Sequence, residues 1–296
     1  MKLGAVVNGR TVGFRVLRSD VMRPKVDYTA WIGRSRRREA RLSSGDIARL
    51  AAALDRPAPP ATVPPAWHWA TLLDAVRQSA IGPDGHPERG DFLPPIPLPA
   101  RMFAGADMTF EAPLALDTPT ALTETIESID EKTGRAGALI FVRLARALSQ
   151  GGADCVREVQ TIVYRDAGAT PAAAPQPSEV KAQWRDTVTP DPVLLFRFSA
   201  ATFNSHRIHY DRAYAEGVEG YPGLVVHGPL IAIRLLEALH AQTGYAPLVA
   251  FRFRALRPLF DTAPFSVCGR IDGAVAELWA EAHDGGVPMT ASATLA

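Results

Sequence analysis

The chain has 296 residues, 47% of them hydrophobic, with a formal net charge of +1. That is apolar material for one large domain or two of roughly 100–150 residues, and near-neutrality argues against the strongly basic face of a dedicated nucleic-acid binder. Cys155 and Cys268 lie far apart and form no C-x-x-C pair, which argues against a disulfide framework or a thiolate zinc site and fits a reducing cytoplasm; no apolar run approaches the roughly 20 residues of a membrane helix.

Residues 1–27 form a basic N-terminal extension: Lys2, Arg10, Arg15, Arg18, Arg23 and Lys25 stand against Asp20 and Asp27. The stretch lacks the apolar block and cleavage site of a secretory signal. A flexible tail or an upstream translational start is favoured over a short organelle-targeting peptide.

Folding signals begin at Trp31. Ser43 and Ser44 are N-cap candidates for a helix over 46–54, with Ile47, Leu50, Ala51 and Leu54 on one face. Residues 55–65 are proline-rich and read as a turn region. Apolar spacing at Trp69, Leu72, Leu73 and Val76 predicts a second helix over 67–78. Residues 81–101 are dense in Pro and Gly and read as loop. Strand-like runs follow at 101–110, 120–130, 138–148 and 154–165. A helical stretch followed by successive antiparallel strands makes an α+β layer.

Residues 166–179, DAGATPAAAPQPSE, open a Pro/Ala-rich linker that runs to about 190. It separates a first domain, 28–165, from a second, 191–296. The second half repeats the element order: a strand-like run at 194–199, an irregular stretch with a short helical piece at 203–221, a helix at 229–243, and strands at 246–260, 265–271, 275–283 and 288–295. Pro229 suits the first helical position and Gly244 the C′ position. Apolar residues from Leu230 to Leu239 cover most of that helix, so it is expected to be buried on nearly all sides.

The chain contains no GxGxxG after a strand, no GxxxxGK[ST], no HExxH and no GxSxG. It does contain a dense polar cluster: Asn204, His206, Arg207, His209, Tyr210 and Asp211 lie within eight positions, and His227-Gly228 opens the buried helix. A polar cluster beside a buried helix N-terminus points to a ligand. His206 and His209 have the spacing of a metal pair, but no third ligand is evident, so no metal is expected. Asp211 reads as the cap of a short helix at 212–216.

The stretch FSAATFNSHRIHYDRAYAEGVEGYPGLVVHGPL, from 198 onward, resembles the MaoC-like hydratases and dehydratases, whose signature is D-x-N-P-[LIV]-H. Asn204-Ser205-His206-Arg207-Ile208-His209 occupies the signature, with the final histidine at the right spacing and Asn204 where the family has Asp. The variant is similar to the type 2 hydroxyacyl-thioester dehydratase branch, which includes mesaconyl-CoA and itaconyl-CoA hydratases. The first half is also similar to that branch, from DYTAWIG at Asp27 through LPPIPLPARMFAGADMTFEAPL.

The resemblance implies a double hot-dog fold: two fused domains, each an antiparallel sheet wrapped round a central helix, the second catalytic and the first shaping the acyl pocket. It implies a hydro-lyase that reversibly adds water to an α,β-unsaturated acyl-CoA or removes it from the 3-hydroxy form, the acyl group being a short branched or dicarboxylic one. Coenzyme A is then part of the substrate, no other cofactor is needed, and a monomer (a pseudo-dimer) or a homodimer suffices. His209 is the expected base, since a free imidazole titrates near pH 6.5. Asn204 would orient the water through its amide oxygen, and the Gly228 N–H would face the thioester oxygen. His206, Arg207, Tyr221, His227 and Arg254 complete the expected substrate-binding set. Arg207 would pair with a substrate carboxylate or, equally, be a surface arginine or one binding the CoA phosphates; Arg254 would touch CoA phosphates or only water. The competing readings are a hot-dog thioesterase, with Glu219 as the nearby carboxylate, and a non-catalytic acyl-CoA binder.

Overall fold

The computed structural model describes residues 4–7, 10–13, 26–134, 137–166 and 176–296. Within the basic extension, β1 (Gly4–Val7) and β2 (Arg10–Gly13) pair as a separate two-stranded antiparallel sheet. The expectation for the rest of that extension lies outside the described residues, as does most of the alanine- and proline-rich centre of the linker.

Ten strands form one antiparallel sheet. The first half supplies β3 (Ser35–Arg41), β4 (Ala100–Phe110), β5 (Pro119–Gly134), β6 (Gly137–Gln150) and β7 (Ala153–Arg165). The second supplies β8 (Trp184–Val188), β9 (Leu248–Ala255), β10 (Phe265–Asp272), β11 (Val275–Ala282) and β12 (Met289–Leu295). The spatial order is β3-β5-β6-β7-β4-β9-β12-β11-β10-β8. Read from its own outer edge, each half places its strands in the same order, first, third, fourth, fifth, second. The halves join where β4 pairs with β9, from Gly105 opposite Arg254 to Thr109 opposite Ala250. This pairing makes one continuous sheet of two copies of one fold.

Helix α1 (Ser44–Ala53) follows β3, and α2 (Pro192–Ala201) follows β8 at the matching place. The short α3 (Arg212–Gly217) and the long α4 (Gly228–Thr243) come next. As its composition demands, α4 is buried along nearly its whole length, from Leu230 to His240. It shares one core with α1, α2 and the inward residues of both sheet halves, including Met108, Phe251 and Phe253.

Two expectations are corrected. Residues 194–199 are helix, not strand: Asp191 caps the Val193 and Leu194 amides and Pro192 sits in the first turn. These start signals outweigh the continuous apolar run. Residues 67–78 hold only a 3₁₀ turn, Trp67–Ala70, before the chain becomes irregular. Ala66 and Leu72 flank it with φ of 67° and 51°, and tertiary polar contacts pull it onto the sheet. His68 and Trp69 bond Glu158, and Asp74 pairs with Arg36. Strands β3 and β8 also lie where none was expected, β8 inside the predicted linker. The inward side chains Arg36 and Arg38 of β3 bind the buried Glu124, so the strand shows no apolar alternation.

Candidate active site at the junction of the halves

The cluster 204–211 folds into a tight loop after α2. The Asn204 amide donates to the Ser199 carbonyl at 2.8 Å. The Asn204 side-chain oxygen accepts the His206 N–H at 3.1 Å. A 3₁₀ turn at Arg207–His209 follows, and Asp211 accepts the Tyr214 amide at 3.1 Å, capping α3 as expected.

His209 is the best defined of the candidates. It is buried, and its Nδ1 lies 2.7 Å from the Val225 carbonyl oxygen. A carbonyl only accepts, so Nδ1 carries the proton and Nε2 is left with its lone pair. Burial pushes its pKa down to about 4, against the pull of the Val225 bond. Its ring stacks on His227 with centroids 3.7 Å apart, and His206 meets it edge-on at 5.5 Å. His227 Nε2 lies 2.8 Å from the Ser199 hydroxyl, while its buried Nδ1 has no partner among the described residues. Burial, with the neighbouring imidazoles His209 and His206, holds His227 well below the usual histidine range.

The first half completes the cluster from residues 82–86. His86 packs against His206 with ring centroids 3.9 Å apart. Its Nδ1 lies 3.0 Å from the Asp84 carboxylate, which also accepts the His86 amide at 2.9 Å. Burial and the charges of Arg101 and Arg89 bring His86 down to about 4, although its bond to Asp84 works the other way. Burial pushes the Asp84 carboxyl up, but the His86 bonds and charge outweigh it and leave the group well below the usual carboxylate range. The Arg207 amide donates to the Asp84 carbonyl at 2.9 Å, so the two loops are tied backbone to backbone. Asp84, His86 and His206 each bring a possible ligand atom within 4.8 Å of the others. His209, the partner that spacing suggested for His206, is not part of this group. The Asp84 carboxylate is already engaged by His86, and the trio reads as a carboxylate–imidazole pair against a neutral ring.

His86 also lines a cavity of about 490 Å³ between residues 74–93 and strands β4 and β7, whose wall includes Arg36, Arg89, Arg101 and Phe103. At the start of α4, Gly228 is part-exposed and its amide makes no hydrogen bond among the described residues, as the first turn of a helix leaves its donors free. The Phe103 carbonyl from β4 lies close by: a Cβ on Gly228 would stand 3.7 Å from it.

The structure therefore brings together His206, His209, His227 and Gly228, with Asn204 shaping their loop. Three expected binders lie elsewhere. Arg207 is occupied by Asp211 at 2.7 Å and by the Pro83 carbonyl at 3.0 Å, and its guanidinium lies over the Tyr214 ring. It braces the two loops, so its guanidinium is engaged within the protein rather than open toward a substrate carboxylate. Tyr221 packs on Phe260 behind the loop, and its hydroxyl accepts from Arg165 at 3.3 Å. Arg254 is exposed on the sheet face opposite to that of the buried Phe251 and Phe253. Glu219 accepts the Tyr214 hydroxyl at 3.2 Å. Asp84, His86 and Arg101 were not anticipated. The signal was a D-G-H triplet of polar residues inside the Pro/Gly-rich stretch 81–101, which loop composition masked.

A double hot-dog sheet with an imidazole cluster at the N-terminus of a buried helix defines the class, a thioester dehydratase. A family model, hydroxyacyl-thioester dehydratase type 2, matches residues 66–261. The mesaconyl-C(4)-CoA hydratase of Chloroflexus aurantiacus is 47% identical over 276 residues, covering 91% of this chain and 98% of that protein. Among solved structures, HtdX of Mycobacterium tuberculosis superposes with a TM-score of 0.67 at 18% identity, over 89% of this chain and all (100%) of that one. A MaoC-like dehydratase from Phytophthora capsici gives 0.61 at 13% identity, over 89% and 96%. The chain belongs to the hydroxyacyl-thioester dehydratase type 2 family. It is a hydro-lyase of acyl thioesters.

Proposed function

We propose that this protein reversibly hydrates an α,β-unsaturated acyl-CoA bearing a second carboxylate, of the mesaconyl-C(4)-CoA type, and that His209 is the base. The observation that carries this reading is the His209–Val225 bond, which fixes the tautomer and frees Nε2. His209 takes a proton from water. The water oxygen bonds to Cβ, and the π pair moves through Cα onto the thioester oxygen. The Gly228 N–H and the positive end of α4 hold that charge. Burial disfavours the imidazolium, so His209 then returns its proton to Cα and the enzyme is reset. Asn204 ties its loop with one lone pair of its oxygen and has a second for the water. Asp84 and His86 supply, from the first half, a carboxylate–imidazole pair beside His206.

On this reading the second half carries the base and oxyanion donor, the first half lines the acyl pocket, and coenzyme A enters only as part of the substrate. One chain holds the paired sheet, so a monomer suffices. The cytoplasm is the proposed compartment.

A panel of enoyl-CoAs, followed by loss of enoyl absorbance and by free-thiol release in parallel, tests the reaction class. Hydration without thiol release is expected. Thiol release at the faster rate supports a thioesterase instead. His209→Ala should cost about 10²–10⁴-fold in kcat with the protein still folded; near-normal turnover removes His209 as base.

A further inference from the structure

We propose that Arg101 and Arg89 form a subsite for a carboxylate on the acyl chain, placed in the cavity beside His86. The proposal rests on the hydration reading above and names the group that selects the substrate.

Three arginines line this cavity, and they are not equivalent. Arg36 is neutralised: it pairs with Asp74 at 2.8 Å and Glu124 at 2.7 Å. Arg89 is anchored by neutral groups alone. It donates to the carbonyls of Ile96 and Pro99, both at 2.7 Å, and of Leu98. These bonds fix its position without cancelling its charge. Neither Arg89 nor Arg101 has a carboxylate within ion-pair distance among the described residues. Glu88 and Asp91 lie on the cavity's exposed rim. Tyr164 stands opposite Arg101 across β4 and β7, with the Arg89 guanidinium 5.2 Å from its ring centroid. Its buried hydroxyl is within reach of the Arg101 guanidinium, and no acceptor takes its own proton among the described residues.

Two half-buried cations without an ion-pair partner, beside a buried hydroxyl whose proton is not donated, favour an anion. Both arginines line the same cavity as His86 and Phe103; His86 packs on His206 at 3.9 Å and the Phe103 carbonyl lies beside Gly228, which puts the subsite at the end of the cavity nearest the imidazole cluster. In mesaconyl-C(4)-CoA the free carboxylate is bonded to Cβ, the carbon that water attacks. A carboxylate held by Arg101 would therefore also position that carbon.

The test uses the wild type, Arg101→Gln and Arg101→Lys on two thioesters: mesaconyl-C(4)-CoA and 3-methylcrotonyl-CoA, which carries methyl in place of carboxylate. Inhibition constants replace kcat/KM where turnover is too slow. Arg89 is left in place because it also holds three carbonyls. Arg101→Gln should lose about 10–100-fold on the diacid thioester, the worth of a hydrogen bond to a charged group, and less than about 3-fold on the neutral one. Arg101→Lys should regain part of the loss, with melting temperatures unchanged. A wild type with no preference for the diacid overturns the substrate reading and the subsite with it. A preference that survives in Arg101→Gln overturns the subsite alone. Equal losses on both thioesters, with weaker inhibition by free CoA, place Arg101 on the CoA phosphates and overturn it as well.

Discussion

Gly85 of the first half and Ser205 of the second are fitted so closely that a Cβ on Gly85 would stand 1.8 Å from the Ser205 carbonyl oxygen. Gly85 also has φ +89°, a conformation that side chains rarely adopt. The Ser205 hydroxyl donates back to the Gly85 carbonyl. This contact sets the distance between His86 and the His206–His209 loop.

Gly85→Ala must therefore move one loop or the other. A displacement of about 1 Å at reacting groups costs on the order of 10²-fold in rate, so kcat/KM should fall by at least about 10-fold. Steric and backbone strain should also lower the melting temperature. Steady-state kinetics beside thermal unfolding checks both. A variant with wild-type kcat/KM would show that the first half's loop does not position the chemistry.

The pH dependence follows from burial. His209 and His86 both sit at about 4, below the unperturbed histidine value of about 6.5. At neutral pH both rings are neutral, and His209 can accept a proton. The acid limb of kcat/KM should thus lie near pH 4, with a flat profile from about pH 6 to 8. Stability runs the same way. A depressed histidine pKa stabilises the fold above the unfolded value near 6.5, and that contribution is lost as pH falls through the folded value near 4. An activity limb centred at 6.5 would mean that His209 is solvated in the working enzyme.

Much of this site was legible because the second half is locally consistent. The run around Pro229 reads as a buried helix, and α4 is one; the polar positions 204–209 share a loop, and His206 and His209 meet there. What sequence did not disclose depends on contacts between distant segments. Arg36 and Arg38 look like a solvated strand until Glu124 is placed opposite them. Trp67 to Val76 has helical spacing, but His68 and Trp69 are held by Glu158, 90 and 89 residues away in sequence. Arg207 looked free because Asp211, four residues on, read only as a helix cap, and the Pro83 carbonyl meets it only in the fold. His86 was hidden for the same reason: nothing local to a Pro/Gly loop says that it docks beside a second histidine.

Those distant contacts form a buried polar ladder in the first half. Arg146 lies between Glu158 at 2.8 Å and Glu124 at 3.2 Å, and Trp69 and Gln160 donate to Glu158 at 2.8 and 2.9 Å. Removing one partner strands the other's charge. Glu158→Gln should destabilise the protein by about 3–5 kcal/mol, read as a lower unfolding midpoint in denaturant. Burial raises the Glu158 pKa, but Arg146 and His68 outweigh it and hold the group at about 2. Its contribution is therefore present above the unfolded value near 4.3 and lost as pH falls toward 2. The midpoint of Glu158→Gln should accordingly converge with that of the wild type in acid. A constant gap down to pH 2 would assign the loss to packing instead.

Gly228→Ala separates the oxyanion role from simple packing. A Cβ there would meet only the Phe103 carbonyl at 3.7 Å and Met289 Cε at 3.9 Å, both ordinary contacts. Alanine is also the better helix former, so the melting temperature should hold or rise. The methyl group would instead project beside the free amide, where the thioester oxygen must approach. A fall of about 10-fold or more in kcat, with stability intact, is the expected signature, since losing one oxyanion donor costs about 10²–10³-fold. Unchanged turnover would take the charge away from Gly228. Pro229 has no N–H to offer, so the role would pass to Leu230, the next donor in the first turn of α4.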